Sequence, residues 1–447
     1  MGTCQLRQIR VKKDGACAWF ICFFALINNA IINGINQSFG VILGSLIESF
    51  GSSATTVSWI PAIHTSVWFL FAWISTMLTQ KYGFRVVIIA GAIISCISHL
   101  AAACTNNFVF VLLTYGVIGG VGSGLRDSIG NIVCSYYFEK YREIATGIAM
   151  CGGGVGIALV GPLANFVNTQ YGEQGVFVAF SLLSLLSIFL GVTVFPTECN
   201  KEDLESRATD QNIEEADYEK RDCEIDPKTP TQGSKQPLVQ EAGKIKTFFA
   251  KFALLKDMRI LFYCLGKFLF EMAFYIPPDY LPEMMVKDHG FPQSVEGTIM
   301  AILGASIVVG RILSGLIAKI FKKYSIIMSA LSLTVIGSGL VGLAFCSTFE
   351  EFFGVTVLYG LCAGSYFYLG VIILIEMYGV SDKFQDAYGL VMLASMFSPI
   401  LGPPIGGFMH DYYGSYSVAF LAAGLFSFTS ATCNYIVFFV HFRNKKK

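Results

Sequence analysis

Apolar segments of about twenty residues, each poor in charge, recur along almost the whole of this chain, and repeated use of that length is a bilayer signature. Twenty helical residues at about 1.5 Å rise cross a hydrocarbon core roughly 30 Å thick. With 54% hydrophobic and only 14% charged residues among 447, a soluble multidomain protein is excluded. The segments fall near residues 17–40, 55–78, 86–104, 108–133, 143–166, 175–195, 258–281, 294–318, 325–346, 352–376, 388–409 and 415–441. Hydrocarbon offers the backbone no water, so each is expected as a helix; barrel strands would alternate over about ten residues. The fold class expected is an all-α membrane protein with 12 transmembrane helices.

Lys and Arg test that count independently, because cytoplasmic loops carry them in excess. With the N-terminus inside, the inner segments hold Arg7, Arg10, Lys12 and Lys13; Lys81 and Arg85; Lys140 and Arg142; the basic residues of a long central loop; Lys319, Lys322 and Lys323; Lys383; and Arg443 with Lys445 to Lys447. The outer loops hold Lys287 alone. One span missed or invented in the middle would scramble this pattern, so both termini are expected in the cytoplasm. The first apolar block is far longer than a signal-peptide core and lacks a small-residue cleavage site, so an uncleaved signal anchor is expected. The 13 cysteines lie mostly in spans or the central loop, which points to free thiols. A net charge of zero gives no sign of a nucleic-acid partner, and the sequon Asn36-Gln37-Ser38 falls inside a span.

Between Thr197 and Lys256 the chain turns polar, acidic first and then marked by Pro227, Pro230 and Pro237. That stretch has too few apolar residues to bury a core and reads as disordered, with a basic amphipathic helix expected over Lys244 to Lys256 on the inner membrane surface. The organisation expected is a cytoplasmic N-terminus (1–16), a six-helix bundle (17–196), a cytoplasmic loop (197–257), a second bundle (258–441) and a basic tail (442–447). The halves echo each other. Short basic turns follow the second and eighth spans; the fifth span carries Gly152-Gly153-Gly154-Val155-Gly156 and Gly161-Pro162, and the eleventh carries Pro399 to Pro404 with Gly406-Gly407. Small residues let helices approach closely and Pro weakens the backbone ladder, which suits bundles that rock. Ordinary close packing explains each cluster taken singly.

A charged side chain at the bilayer centre costs at least roughly 2.5–3.5 kcal/mol, so charges inside spans mark candidate sites. Arg126, Asp127, Lys267, Glu271 and Arg311 qualify. Arg311 has no acidic neighbour within a turn or two on its helix; it reads as a clamp for a carboxylate, or as an arginine paired to a carboxylate on another helix. Lys267 and Glu271 share a face at i, i+4, either as a structural pair or as groups that attract an anion and carry a proton. Arg126 and Asp127 point about 100° apart and suit gating or helix locking. Glu376 is expected to meet the basic inner loops. Asn29, Asn33 and Gln37, spaced by four, form a stripe that fits a water-lined cavity wall. His64 is a proton carrier by its ordinary titration range, or a hydrogen-bonding partner between helices. No P-loop, zinc-ligand spacing or nucleophile motif is present, so neither an enzyme nor a resident cofactor or metal is expected; nor does a filter-like or voltage-sensor-like run point to a channel.

The stretch Tyr137 to Gly152 (YFEKYREIATGIAMCG) resembles the signature of the monocarboxylate transporter family at the start of the fifth span. Asp14-Gly15-Ala16-Cys17-Ala18-Trp19 keeps part of the family's other signature, and Tyr275-Ile276-Pro277, Gly310 to Gly315 and Asp382 to Gly414 are similar too. The resemblance implies the major facilitator fold, two six-helix bundles working as a plasma-membrane transporter, with Arg311 as the substrate-anion contact. It also implies a small organic anion with a co-transported proton as ligands, and a single-span accessory glycoprotein as partner. Two departures stand out. Proton-coupled lactate-type members have lysine where this chain has Gln37 and aspartate where it has Ile307. Either Glu271, Asp127 or His64 replaces that relay, or transport is facilitative, as in members carrying amino acids or other organic solutes. A non-transporting receptor or accessory protein on the same fold is the reading from another class.

Overall fold

The computed structural model describes residues 14–138, 140–192, 252–320, 324–378 and 382–445. The acidic loop, most of the expected amphipathic helix, the N-terminal arginines and lysines, Lys322, Lys323, Lys446 and Lys447 lie outside the described residues. Phe252–Lys256 forms a short 3-10 turn leading into the next helix. At that helix's start, burial works to raise the Asp257 carboxyl, yet bonds from Arg259 (2.7 Å) and the Tyr378 hydroxyl (3.0 Å) outweigh it and hold the group below its usual range.

Among the described residues, eleven helical stretches are long and apolar enough to cross a membrane. The longest, Ile144–Phe189, has 46 residues, about 69 Å of helix and more than twice the hydrocarbon thickness. Gly172, with φ 69° and ψ −176°, breaks it into two, so the spans among the described residues number twelve. A left-handed backbone is open to glycine at little steric cost, which lets the fifth and sixth spans join without a loop. This differs from the expected gap at 167–174, because the turn needs one residue and the flanking ones stay helical.

Several spans are interrupted midway. The first runs Ala16–Gln37, then Gly40–Phe50, ending at Gly51 in the left-handed region. The fourth runs Phe108–Val111, a π-helical segment Leu112–Gly119, then Gly120–Tyr137. The π segment's looser ladder is partly held from outside: Ser98 donates to the Thr114 carbonyl (2.8 Å) and His64 Nδ1 lies 2.8 Å from the Tyr115 carbonyl. The seventh breaks at Tyr275, between Met258–Phe274 and Ile276–Lys287, where Pro277 and Pro278 supply no N–H. The eleventh breaks at Phe397, before Pro399, between Asp382–Met396 and Ser398–Tyr413.

The bundles meet along three helix pairs. In the first, the fifth span packs on the eighth (Ser294–Ile320): a methyl at Gly304 would collide with the backbone of Gly154 and Ala158, so the two helices touch main chain to main chain. In the second, Gly40 of the first span rests on the Pro278 and Asp279 carbonyls of the seventh. In the third, Gly407 of the eleventh meets Ala54 and Thr55 of the second (Ala54–Tyr82). At the face where odd-numbered spans end, Lys287 pairs with Glu48 and Asp411 accepts from the Ala54 and Thr55 amides (3.1 and 2.9 Å), fastening one bundle to the other.

Candidate functional site

Arg311 sits where the eighth span crosses the fifth and first. Its Nη1 donates to the Met150 carbonyl, its Nε has no hydrogen-bond partner, and no ion pair to it is present among the described residues. Gly153 makes the room: the point a Cβ would occupy lies 3.2 Å from Arg311 Nη1 and 3.5 Å from the Asn33 side-chain carbon. Arg311, Asn33 and Gly153 therefore converge from three helices and both bundles. A guanidinium with an unused donor has the chemistry to bind an anionic group through parallel N–H donors.

Beside it, Lys267 and Glu271 form an ion pair of 2.7 Å, both side chains buried. The ammonium lies 5.0 Å from the Tyr366 ring and 4.7 Å from the Phe367 ring, and Phe367 is also 5.8 Å from the Arg311 guanidinium carbon. Aromatic faces attract cations and partly replace their lost hydration. The tenth span (Phe349–Tyr378) thus offers Lys267 the buried Tyr366 ring and the half-buried Phe367 ring, and Arg311 the second of these.

The stripe on the first span differs from a cavity wall. Asn29 is buried and donates to the Ala149 carbonyl (3.0 Å), and Gln37 is buried as well; only Asn33 is partly exposed, donating back to the Asn29 carbonyl. Packing of the fifth span onto the first covers that face. Asn28 and Asn36 likewise serve neighbours, the Arg126 carbonyl and the Thr65 hydroxyl.

The remaining candidates lie elsewhere. Arg126 is fully buried within the N-terminal bundle, its Nη1 on the Ser187 hydroxyl (3.1 Å) and its stem against Gly91. Asp127, on the adjoining face, comes within electrostatic reach of Tyr275 and Tyr388 in the other bundle. His64 has both ring nitrogens in contact, with the Tyr115 carbonyl and the Ser123 hydroxyl (3.3 Å), and stacks on Tyr115. Glu376 is half-buried two residues from the end of the tenth span.

Three buried carboxyls escaped the sequence reading: Asp279, Glu283 and Glu296. Glu283 accepts from the Tyr416 hydroxyl (2.7 Å), while Asp279 Oδ2 and Glu296 Oε2 have no partner. A signal did exist. Lys267, Glu271, Tyr275, Asp279, Glu283 and Lys287 follow one another at intervals of four along the seventh span.

Comparison with known proteins agrees with this architecture. The family model described as Major Facilitator Superfamily matches residues 18–344 and 328–447. Among curated proteins, the chain is 26% identical to monocarboxylate transporter 1 of Bos taurus over 439 residues, 97% of this chain and 87% of that one. It is 24% identical to monocarboxylate transporter 3 of Gallus gallus, covering 92% and 76%. Among solved structures, a D-xylose-proton symporter superposes with a TM-score of 0.68 at 14% identity, over 93% of this chain and 97% of that chain, a likeness of fold alone.

Proposed function

The chain belongs to the major facilitator superfamily, and on that premise we propose that it carries a small monocarboxylate, or a related organic anion or zwitterion, across the plasma membrane by alternating access. The observation that carries this reading is Arg311, whose guanidinium sits at the crossing of both bundles with its Nε unpartnered and no carboxylate paired to it among the described residues. The solute's carboxylate docks on that guanidinium, with Asn33 as a second contact and the Lys267–Glu271 pair as the neighbouring charge. Gln37, being buried, shapes the first span rather than touching solute. Arg126, Asp127, His64 and Glu376 tie helices together as the bundles rock. The basic residues of the inner segments support both termini in the cytoplasm. Similarity to proteins named monocarboxylate transporters supports the substrate class and with it the cell-surface location; the single-span accessory partner is carried by the family resemblance alone.

Counterflow in proteoliposomes, using pooled radiolabelled lactate, pyruvate and amino acids, tests the proposal. At least one labelled solute should exchange, and Arg311→Ala should abolish exchange while surface expression survives. Exchange of none would leave the non-transporting reading; an unchanged rate in the variant would remove Arg311 from the mechanism.

A further inference from the structure

The polar stripe of the seventh span covers the membrane. From Lys267 to Lys287 is twenty residues, about 30 Å of helix, and between the two lysines stand Glu271, Tyr275, Asp279 and Glu283. Each lysine already has a carboxylate: Lys267 pairs with Glu271 at 2.7 Å and Lys287 pairs with Glu48. Asp279 and Glu283, between those pairs, form no ion pair among the described residues.

Asp279 is the extreme case. It is 3% exposed, its Oδ2 has no hydrogen-bond partner, and no ion pair to it is present among the described residues. Its backbone carries the close approach of Gly40, so it lies where the first and seventh spans join the bundles. The groups that face it are acids and phenols. Tyr115 of the fourth span lies within electrostatic range, with His64 and His99 packed on its ring; Tyr275, Tyr280 and Glu283 neighbour it on its own span, and Asp127 lies within electrostatic range of Tyr275. The tyrosine hydroxyl of Tyr115 is itself unpartnered. An ionised carboxylate in such a setting is costly, and a neutral carboxyl is not.

We propose that Asp279 is a proton-binding site of this transporter, loaded and emptied as the bundles part on alternate sides. The inference rests on the transport reading above. When the face near Lys287 opens, water reaches Asp279 past Glu283, and a proton joins the carboxylate to give the neutral acid. Closure of that face buries the acid without a cation. When the opposite face opens, the proton leaves to water by way of Tyr275 and the Glu271 carboxylate, and the ionised Asp279 favours a hydrated state again. One proton enters and one leaves per cycle, with no other reactant.

Infrared spectroscopy of the purified protein in lipid vesicles, at neutral pH, reads the site without any substrate. The wild type should show the carbonyl stretch of a protonated carboxyl, and Asp279→Asn should lose part of that band while Arg311→Ala keeps it. An Asn variant with the wild-type band overturns the proposal. In proteoliposomes offered labelled pyruvate, lactate and amino acids, Asp279→Asn should keep counterflow while its accumulation under an inward proton gradient falls to the level seen without one. Unchanged gradient-driven accumulation in the variant, or a wild type indifferent to the gradient, overturns it equally. If the wild type moves no probe, the transport reading has failed and the infrared arm alone decides the proton site. Should the Asn variant not be recovered folded, Asp279→Glu takes its place: a displaced band is expected, and an undisplaced one refutes the assignment.

Discussion

Arg311 of the eighth span donates through Nη1 to the carbonyl of Met150 in the fifth, so the group proposed to receive the solute is held by the backbone of the opposite bundle. A solute carboxylate must compete with that carbonyl, and winning the competition loosens one tie between the bundles. Binding and rocking are then one event. A compact ammonium cannot reproduce two parallel donors, and a hydrogen bond to a charged group is worth about 1.5–3 kcal/mol. Arg311→Lys should therefore raise the half-saturating solute concentration by about tenfold to a hundredfold, measured by initial rates of counterflow, at normal surface level.

The glycine contacts predict a graded series. Gly304→Ala would push a methyl into the backbone of Ala158 and Gly154 across the bundle interface, whereas Gly147→Ala meets nothing within 4 Å. Overpacking of this kind costs about 1–3 kcal/mol, and relieving a helical glycine stabilises by about 0.5–1 kcal/mol. Thermal unfolding in detergent should show Gly304→Ala melting below the wild type and losing transport. Gly147→Ala should melt at or slightly above it and transport normally.

The spans were legible because hydrocarbon thickness is a length, and length survives in a sequence of 447 residues without any knowledge of packing. The weak point of the eleventh span was legible at Pro399 for the same kind of reason, a missing donor. The π-helical run Leu112–Gly119 was not, since LLTYGVIG has the composition of any apolar span and its extra residue per turn depends on Ser98 and His64 from neighbouring helices. Intervals of four put Asn29, Asn33 and Gln37 on one stripe, yet which neighbour covers a stripe is a tertiary fact; the fifth span covers this one. The same spacing ran through Asp279 and Glu283. It went unread because the seventh span was expected to end near residue 281, which put Asp279 at its edge and Glu283 outside it, whereas the helix runs on to Lys287.

Asp257 gives a pH test with a definite sign. Its carboxyl is held below the ordinary value because bonds from Arg259 and Tyr378 outweigh burial, so the folded protein binds that proton less readily than the unfolded chain. The stability it contributes is complete above the unfolded value, about pH 4, and is lost as pH falls through the lower folded value. Asp257→Asn should lower the melting temperature at pH 7, and the gap to the wild type should narrow steadily below about pH 4. A gap that is constant with pH would mean the carboxylate's charge does not matter at this helix start.

The Lys267–Glu271 pair separates structural from functional charge. Both side chains are buried and 2.7 Å apart, so removing one partner strands the other in a low-dielectric site, at a cost of about 3–5 kcal/mol. Removing both charges leaves nothing stranded and can be nearly neutral. Lys267→Met alone should destabilise strongly in a detergent melt, and Lys267→Met combined with Glu271→Gln should recover most of the loss. If the pair serves only the fold, the double variant will also transport at close to the wild-type rate. If the Lys267 ammonium, ringed by Tyr366 and Phe367, helps draw the anion toward Arg311, the double variant will be stable yet slow, with its half-saturating concentration raised by about tenfold for one lost charge-assisted contact. Stability and uptake measured on the same two variants decide between these outcomes.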